Sequence, residues 1–154
     1  MSNDVGAAWD RVESWLRLHL PACLPAGAVP PGASDELIAE AETRLGFDLP
    51  ADLRRLWRRC GGPVGPLTPE GEVLLGVRQA LDAYDLLNHP DVWETTWIPF
   101  TADEPDDPFA GTFIDAVTGL TGSWNRQDFS HLYDDGSTLT GYLTEAAEEQ
   151  SAVD

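Results

Sequence analysis

The chain has 154 residues, 42% of them apolar and six of them tryptophan, enough to bury one hydrophobic core and too apolar for a disordered chain. Twenty-seven acids against nine bases leave a net charge of −18, which repels polyphosphates and argues against a nucleic-acid partner. No run approaches the ~20 consecutive apolar residues of a membrane span, and Met1-Ser2-Asn3-Asp4 lacks the regions of a secretory signal, so a cytoplasmic location without membrane contact is expected.

In chain order, the first predicted helix covers residues 4–20. Val5, Trp9, Val12, Leu16 and Leu20 recur at helical spacing, Asn3 can cap the start, and Pro21 ends it. A connector rich in Pro, Ala and Gly follows over 21–31. Ser34 then suits the N-cap of a helix over 34–45, with Asp35 and Glu36 at the positive end of its dipole and Ile38, Ala41 and Leu45 as its stripe. Gly46 fits the left-handed position that closes it. Pro50 is expected at the first position of a helix over 50–60, where its missing N–H costs nothing. Leu53, Leu56, Trp57 and Cys60 form the inner face, Arg54, Arg55, Arg58 and Arg59 the outer one, and Gly61-Gly62 the stop. The arginine face is either an ordinary solvated surface beside acids such as Glu40, Asp48 and Asp52, or a patch for an anion or an acidic partner.

A short strand over 72–76 precedes a helix over 77–88 with Val77, Leu81, Tyr84 and Leu87 as its stripe. From Trp97 the period turns towards two. Trp97-Ile98-Pro99-Phe100-Thr101 reads as a strand at an edge or a strand end, because Pro99 cannot donate to a ladder. Residues 110–116 and 120–126 flank Val117-Thr118-Gly119 as a hairpin, and 130–133 adds a strand before an Asp134-Asp135-Gly136 turn. Ser137 is expected to cap a last helix over 137–149, with Leu139, Leu143 and Ala147 inward and Glu145, Glu148 and Glu149 outward. The expected fold is α+β: N-terminal helices packed on a mainly antiparallel sheet with a closing C-terminal helix. Residues 1–150 form one domain, and 151–154 a frayed acidic tail.

No catalytic constellation is legible. There is no Gly-x-Ser-x-Gly elbow, phosphate-binding loop or dinucleotide fingerprint, so no cofactor is expected. His19, His89 and His131 lack zinc spacing; His19 and Cys23 are four apart, but Pro21 interrupts any helix between them. Cys23 and Cys60 read as reduced, buried apolar residues. A nucleophile and base assembled only in space would leave no such trace.

The densest acidic run is Asp103-Glu104-Pro105-Asp106-Asp107-Pro108. Its spacing fits no Ca²⁺ loop, which leaves a solvated loop or a partner-docking loop in which a basic partner would relieve like-charge repulsion. Trp93 and Trp97 are either core aromatics or a platform facing a partner. Candidate partner-binding residues are Glu42, Trp93, Trp97, Asp103, Asp106, Asp107 and Asp115; Asp115, within a strand, can instead serve stability.

Trp15-Leu16, Gly32-Ala33-Ser34, Glu42 with Leu45-Gly46, Leu49-Pro50, Leu53-Arg54, Gly61-Gly62, Trp97-Ile98-Pro99-Phe100 with Asp103, Ile114-Asp115 with Gly122, and Tyr142-Leu143 follow one another along the chain. In this order the motifs resemble the SUKH superfamily, which includes Smi/Knr-like fungal cell-wall-assembly regulators and bacterial toxin-immunity proteins. Cys60 stands where that family often has Asn before Gly, and 103–108 replaces a more glycine-rich turn. The resemblance implies a non-enzymatic α+β domain that binds protein: most readily an immunity protein neutralising a basic toxin domain, often a nuclease, or otherwise a regulatory interaction module with no toxin.

Overall fold

A computed structural model describes residues 5–19, 32–61, 63–64, 67, 72–87, 93, 95–104, 109–125 and 131–153, with backbone alone for 19, 131–137 and 150–153. Asn3, Leu20, the connector, Cys23, His89, Asp106, Asp107 and the side chains of His19 and His131 therefore lie outside the described residues. The elements run α1 (Val5–His19), α2 (Asp35–Leu45), α3 (Ala51–Arg59), β1 (Val73–Leu74), α4 (Val77–Leu87), β2 (Trp97–Ala102), β3 (Ala110–Asp115), β4 (Leu120–Asn125), β5 (His131–Thr138) and α5 (Leu139–Val153). The strands form one sheet in sequence order, every neighbouring pair antiparallel. This is an α+β fold closed by α5. No helix among the described residues is long and apolar enough to cross a membrane.

The local chemistry of the helices follows the sequence closely. Ser34 Oγ accepts from Leu37 N at 3.1 Å to open α2, and Gly46 closes it at φ 87°, its N–H bonding the Glu42 carbonyl. Gly32 and Gly61 are required by closeness. A Cβ on Gly32 would stand 1.6 Å from the Arg58 carbonyl oxygen, and one on Gly61 would stand 2.5 Å from Ala33 N. Their absence lets Ala33 N donate to Trp57 O at 2.8 Å, tying the entry of α2 to the end of α3.

Four local expectations need correction. Pro50 is the N-cap of α3, one residue before the helix, with ψ 142°. β2 lies inside the sheet, yet β1 reaches only Ala102 and Thr101, so Pro99 has a strand on the β3 side alone and the edge is a local one. The Asp134-Asp135-Gly136 segment does not reverse the chain. Register passes from Gly122↔Tyr133 to Leu120↔Thr138, so residues 134–137 bulge within β5. The cap of α5 is Thr138, not Ser137: fully buried Leu139 begins the helix, and Thr138 Oγ1 accepts from Gly141 N at 3.1 Å.

One cluster of buried apolar side chains joins the layers. Val5, Trp9, Val12 and Leu16 of α1 meet the predicted inner face of α3, where Leu53, Leu56, Trp57 and Cys60 are fully buried. Trp57 Nε1 donates to Leu75 O at 3.1 Å, so the indole is satisfied as well as buried. α1 also packs on α5, α2 on α4, α4 on β2, and α5 on β4 and β5.

Candidate functional site

The described acids expected at a partner surface are engaged with their own fold. Glu42 Oε2, in the last turn of α2, accepts from Leu49 N at 2.8 Å and Arg54 Nη2 at 3.0 Å, clasping α2 to the start of α3. Asp115 is 9% exposed; its Oδ1 accepts from Thr96 Oγ1 at 3.0 Å and Val117 N at 2.9 Å, shaping the β3–β4 turn. Asp103 is exposed, and its Oδ1 accepts from Phe109 N at 2.9 Å and Ala110 N at 3.2 Å. It thus ties residue 103 at the end of β2 to the start of β3.

The aromatics divide by burial. Trp93 is 4% exposed and donates from Nε1 to Trp97 O at 3.0 Å, a core position beneath the surface. Trp97 is half-buried and stacks on Phe113 with ring centroids 4.2 Å apart, while Trp93 meets both rings edge-on. The three rings fix one another, and Trp97 is the member that reaches solvent.

The cations are bound internally. Arg11, Arg17, Arg44, Arg54, Arg58, Arg59 and Arg78 each pair with an acid of the chain; Arg58–Asp35 is 2.6 Å and Arg44–Asp85 is 2.5 Å. Among the described residues only Arg55 makes no ion pair, so the arginine face of α3 reads as the solvated surface and not as an anion patch. Exposed pairs of this kind contribute little stability. Their larger effect is on the field: almost every described cation is offset locally, and the surplus acid is uncompensated.

Two polar assemblies had no counterpart in the motifs. Glu72, just before β1, accepts at Oε1 from Thr101 Oγ1, from Thr112 Oγ1 at 2.6 Å and from Tyr142 OH at 3.0 Å. Burial, then the negative charge of Glu72, pushes the Tyr142 phenol well above its ordinary pKa, so it stays a donor. The arrangement holds β2, β3 and α5 to one carboxylate. The second assembly is an open groove of about 780 Å³ where α3 faces α5, lined by Asp52, Thr138, Thr140, Gly141, Thr144, Glu145 and Glu148. Glu145 and Glu148 were legible as the outer face of the last helix. That Asp52 stands opposite them was not, because residues 52 and 145 meet only through tertiary packing.

Among the described residues, no group of three or more His, Cys, Asp or Glu is placed to hold a metal ion. The model of the SMI1 / KNR4 family (SUKH-1) matches residues 32–144, from the glycine before α2 to the second turn of α5. Trp15-Leu16 lies outside that span. No curated protein matches the chain.

Proposed function

The chain belongs to the SMI1 / KNR4 family (SUKH-1), and from that premise we propose that it is a non-enzymatic, protein-binding immunity protein that neutralises a basic toxin domain. Membership supports a protein-interaction or immunity-type domain. The finer reading is carried by one observation: in a chain of net charge −18, seven of the nine cations already pair with neighbouring acids, so the acidic excess has little local offset among the described residues. Such a field accelerates encounter with a cationic surface and disfavours acidic competitors. A nuclease cleft is cationic because it must hold phosphates, and carboxylates of an inhibitor can take those positions. Within this reading Asp103, Asp106 and Asp107 supply charge, and Trp97 offers an aromatic edge.

The test begins with capture of partners from the native host at low salt, followed by co-expression of any toxin found. The expected result is a basic partner whose toxicity the chain relieves, with association slowed steeply by salt and dissociation changed little. Recovery of acidic or nucleic-acid partners alone would defeat the proposal, as would binding indifferent to salt. A basic partner without toxicity would favour the regulatory-module reading instead.

A further inference from the structure

The groove between α3 and α5 is lined by carboxylates that the fold itself engages little. Asp52 and Glu145 accept from no donor among the described residues, whereas Glu42, Asp103 and Asp115 are each held by neighbouring groups. Glu148 has only Arg11, 4.0 Å away, with both side chains more than half exposed. Glu145 and Glu148 are three apart on one helix and repel, a small cost that an approaching cation removes. The other side chains of the lining are threonine hydroxyls, which can accept, and none is a cation. The carboxylates form no metal-holding group, so a single ion is not what they fit. The volume of about 780 Å³ suits several side chains at once.

We infer that this groove docks a polybasic segment of the protein partner, presenting arginine or lysine side chains to Asp52, Glu145 and Glu148; the inference rests on the protein-binding reading above. The argument is complementarity of charge and shape. Elsewhere Glu13, Asp35, Glu40, Glu42, Asp82 and Asp85 already pair with arginines of the chain, so a cationic segment gains less by docking on them. In the groove it meets carboxylates on two facing helices, and of the three only Glu148 has an ion-pair partner to give up, the exposed Arg11 at 4.0 Å. The occupant is part of a protein and not a free cation, because widely placed acids bind cooperatively only to charges held on one chain.

The probe is a fluorescein-labelled octa-arginine peptide, followed by anisotropy at about 50 mM salt, where surface electrostatics remain visible. Two variants of the full chain remove equal charge. One is Asp52→Asn/Glu145→Gln/Glu148→Gln; the other is Glu36→Gln/Asp48→Asn/Glu104→Gln, at exposed positions that do not line the groove. The groove variant should bind about tenfold more weakly and the matched variant within about twofold of the parent, as expected when three exposed ion pairs are lost in one case only. Gly141→Arg supplies an independent block. A Cβ at Gly141 meets Thr138 Oγ1 at an ordinary 3.4 Å, so the substitution places a cation in the groove with the backbone undisturbed. It should weaken the peptide as strongly, and it decides the matter if the triple variant melts early. Equal weakening by both triple variants would overturn the inference, since the peptide would then be reading diffuse charge. So would a parent chain that binds no peptide. A basic host partner that binds the groove variants normally would remove the groove and leave the proposed function standing; absence of any protein partner would remove the function itself.

Discussion

Tyr142→Phe isolates one hydrogen bond in the Glu72 cluster without disturbing packing. The ring remains, and with it the edge-on contact to Phe100 at 5.4 Å between centroids. What disappears is one of three hydroxyls donated to Glu72 Oε1. A hydrogen bond to a charged group contributes about 1.5–3 kcal/mol, and the low end applies because Thr101 and Thr112 still donate. A loss of about 1.5 kcal/mol should lower Tm by about 3–6 °C for a domain of this size. Glu72→Leu should cost more, because it leaves three hydroxyls without their shared acceptor, including that of fully buried Thr101. Urea unfolding followed by tryptophan fluorescence measures both, with the slope m expected to be unchanged. The pH profile carries a second signature. With its pKa raised in the folded state, Tyr142 contributes stability that is fully present below the unfolded value of about 10 and lost as pH rises through the folded value. Tyr142→Phe should therefore flatten the alkaline decline, leaving the part due to Tyr84, which burial and then Asp85 also raise. A Tyr142→Phe loss below about 0.5 kcal/mol, or a Glu72→Leu loss no larger than it, would show that this carboxylate is not the joint between sheet and α5.

Trp57→Ala should cost about 3–5 kcal/mol, since it empties a fully buried site and orphans the Leu75 carbonyl, while Arg55→Ala stays within about 0.5 kcal/mol; equal losses would misplace the face of α3. Glu42→Ala should destabilise by about 1–3 kcal/mol in the same assay by releasing Leu49 N and Arg54, and weakened partner binding at an unchanged melting point would assign Glu42 to the interface instead. Asp106→Asn with Asp107→Asn should lower the association rate of the captured partner and leave melting unaltered; an effect confined to dissociation would argue against electrostatic steering.

Local signals in the sequence were strong wherever one residue and its near neighbours decide the outcome. Ser34 capping α2, Gly46 at positive φ and the Leu53, Leu56, Trp57 face of α3 each depend on contacts within a few residues, and each was legible. The hairpin of β3 and β4 was legible for the same reason, because its two strands are neighbours in sequence. Boundaries slipped where two local solutions compete within a residue or two: Ser137 and Thr138 both carry capping hydroxyls, and burial of Leu139 chose between them.

The candidate site behaved differently. An acid's type and spacing record its charge but not what its oxygens meet, so Glu42 and Asp103 looked available, and Asp115 undecided, until folding brought backbone amides to them. Trp93 was as undecided as Trp97 until the sheet placed Phe113 beside both. Glu72 carried no signal at all, for its three donors come from residues 101, 112 and 142. Family, net charge and most of the elements follow from composition and short-range pattern, while the course of β5 and the start of α5 do not. Which carboxylates are consumed inside the fold, and that Asp52 faces Glu145 across a groove, follow from long-range packing, which sets the neighbours on which those roles depend.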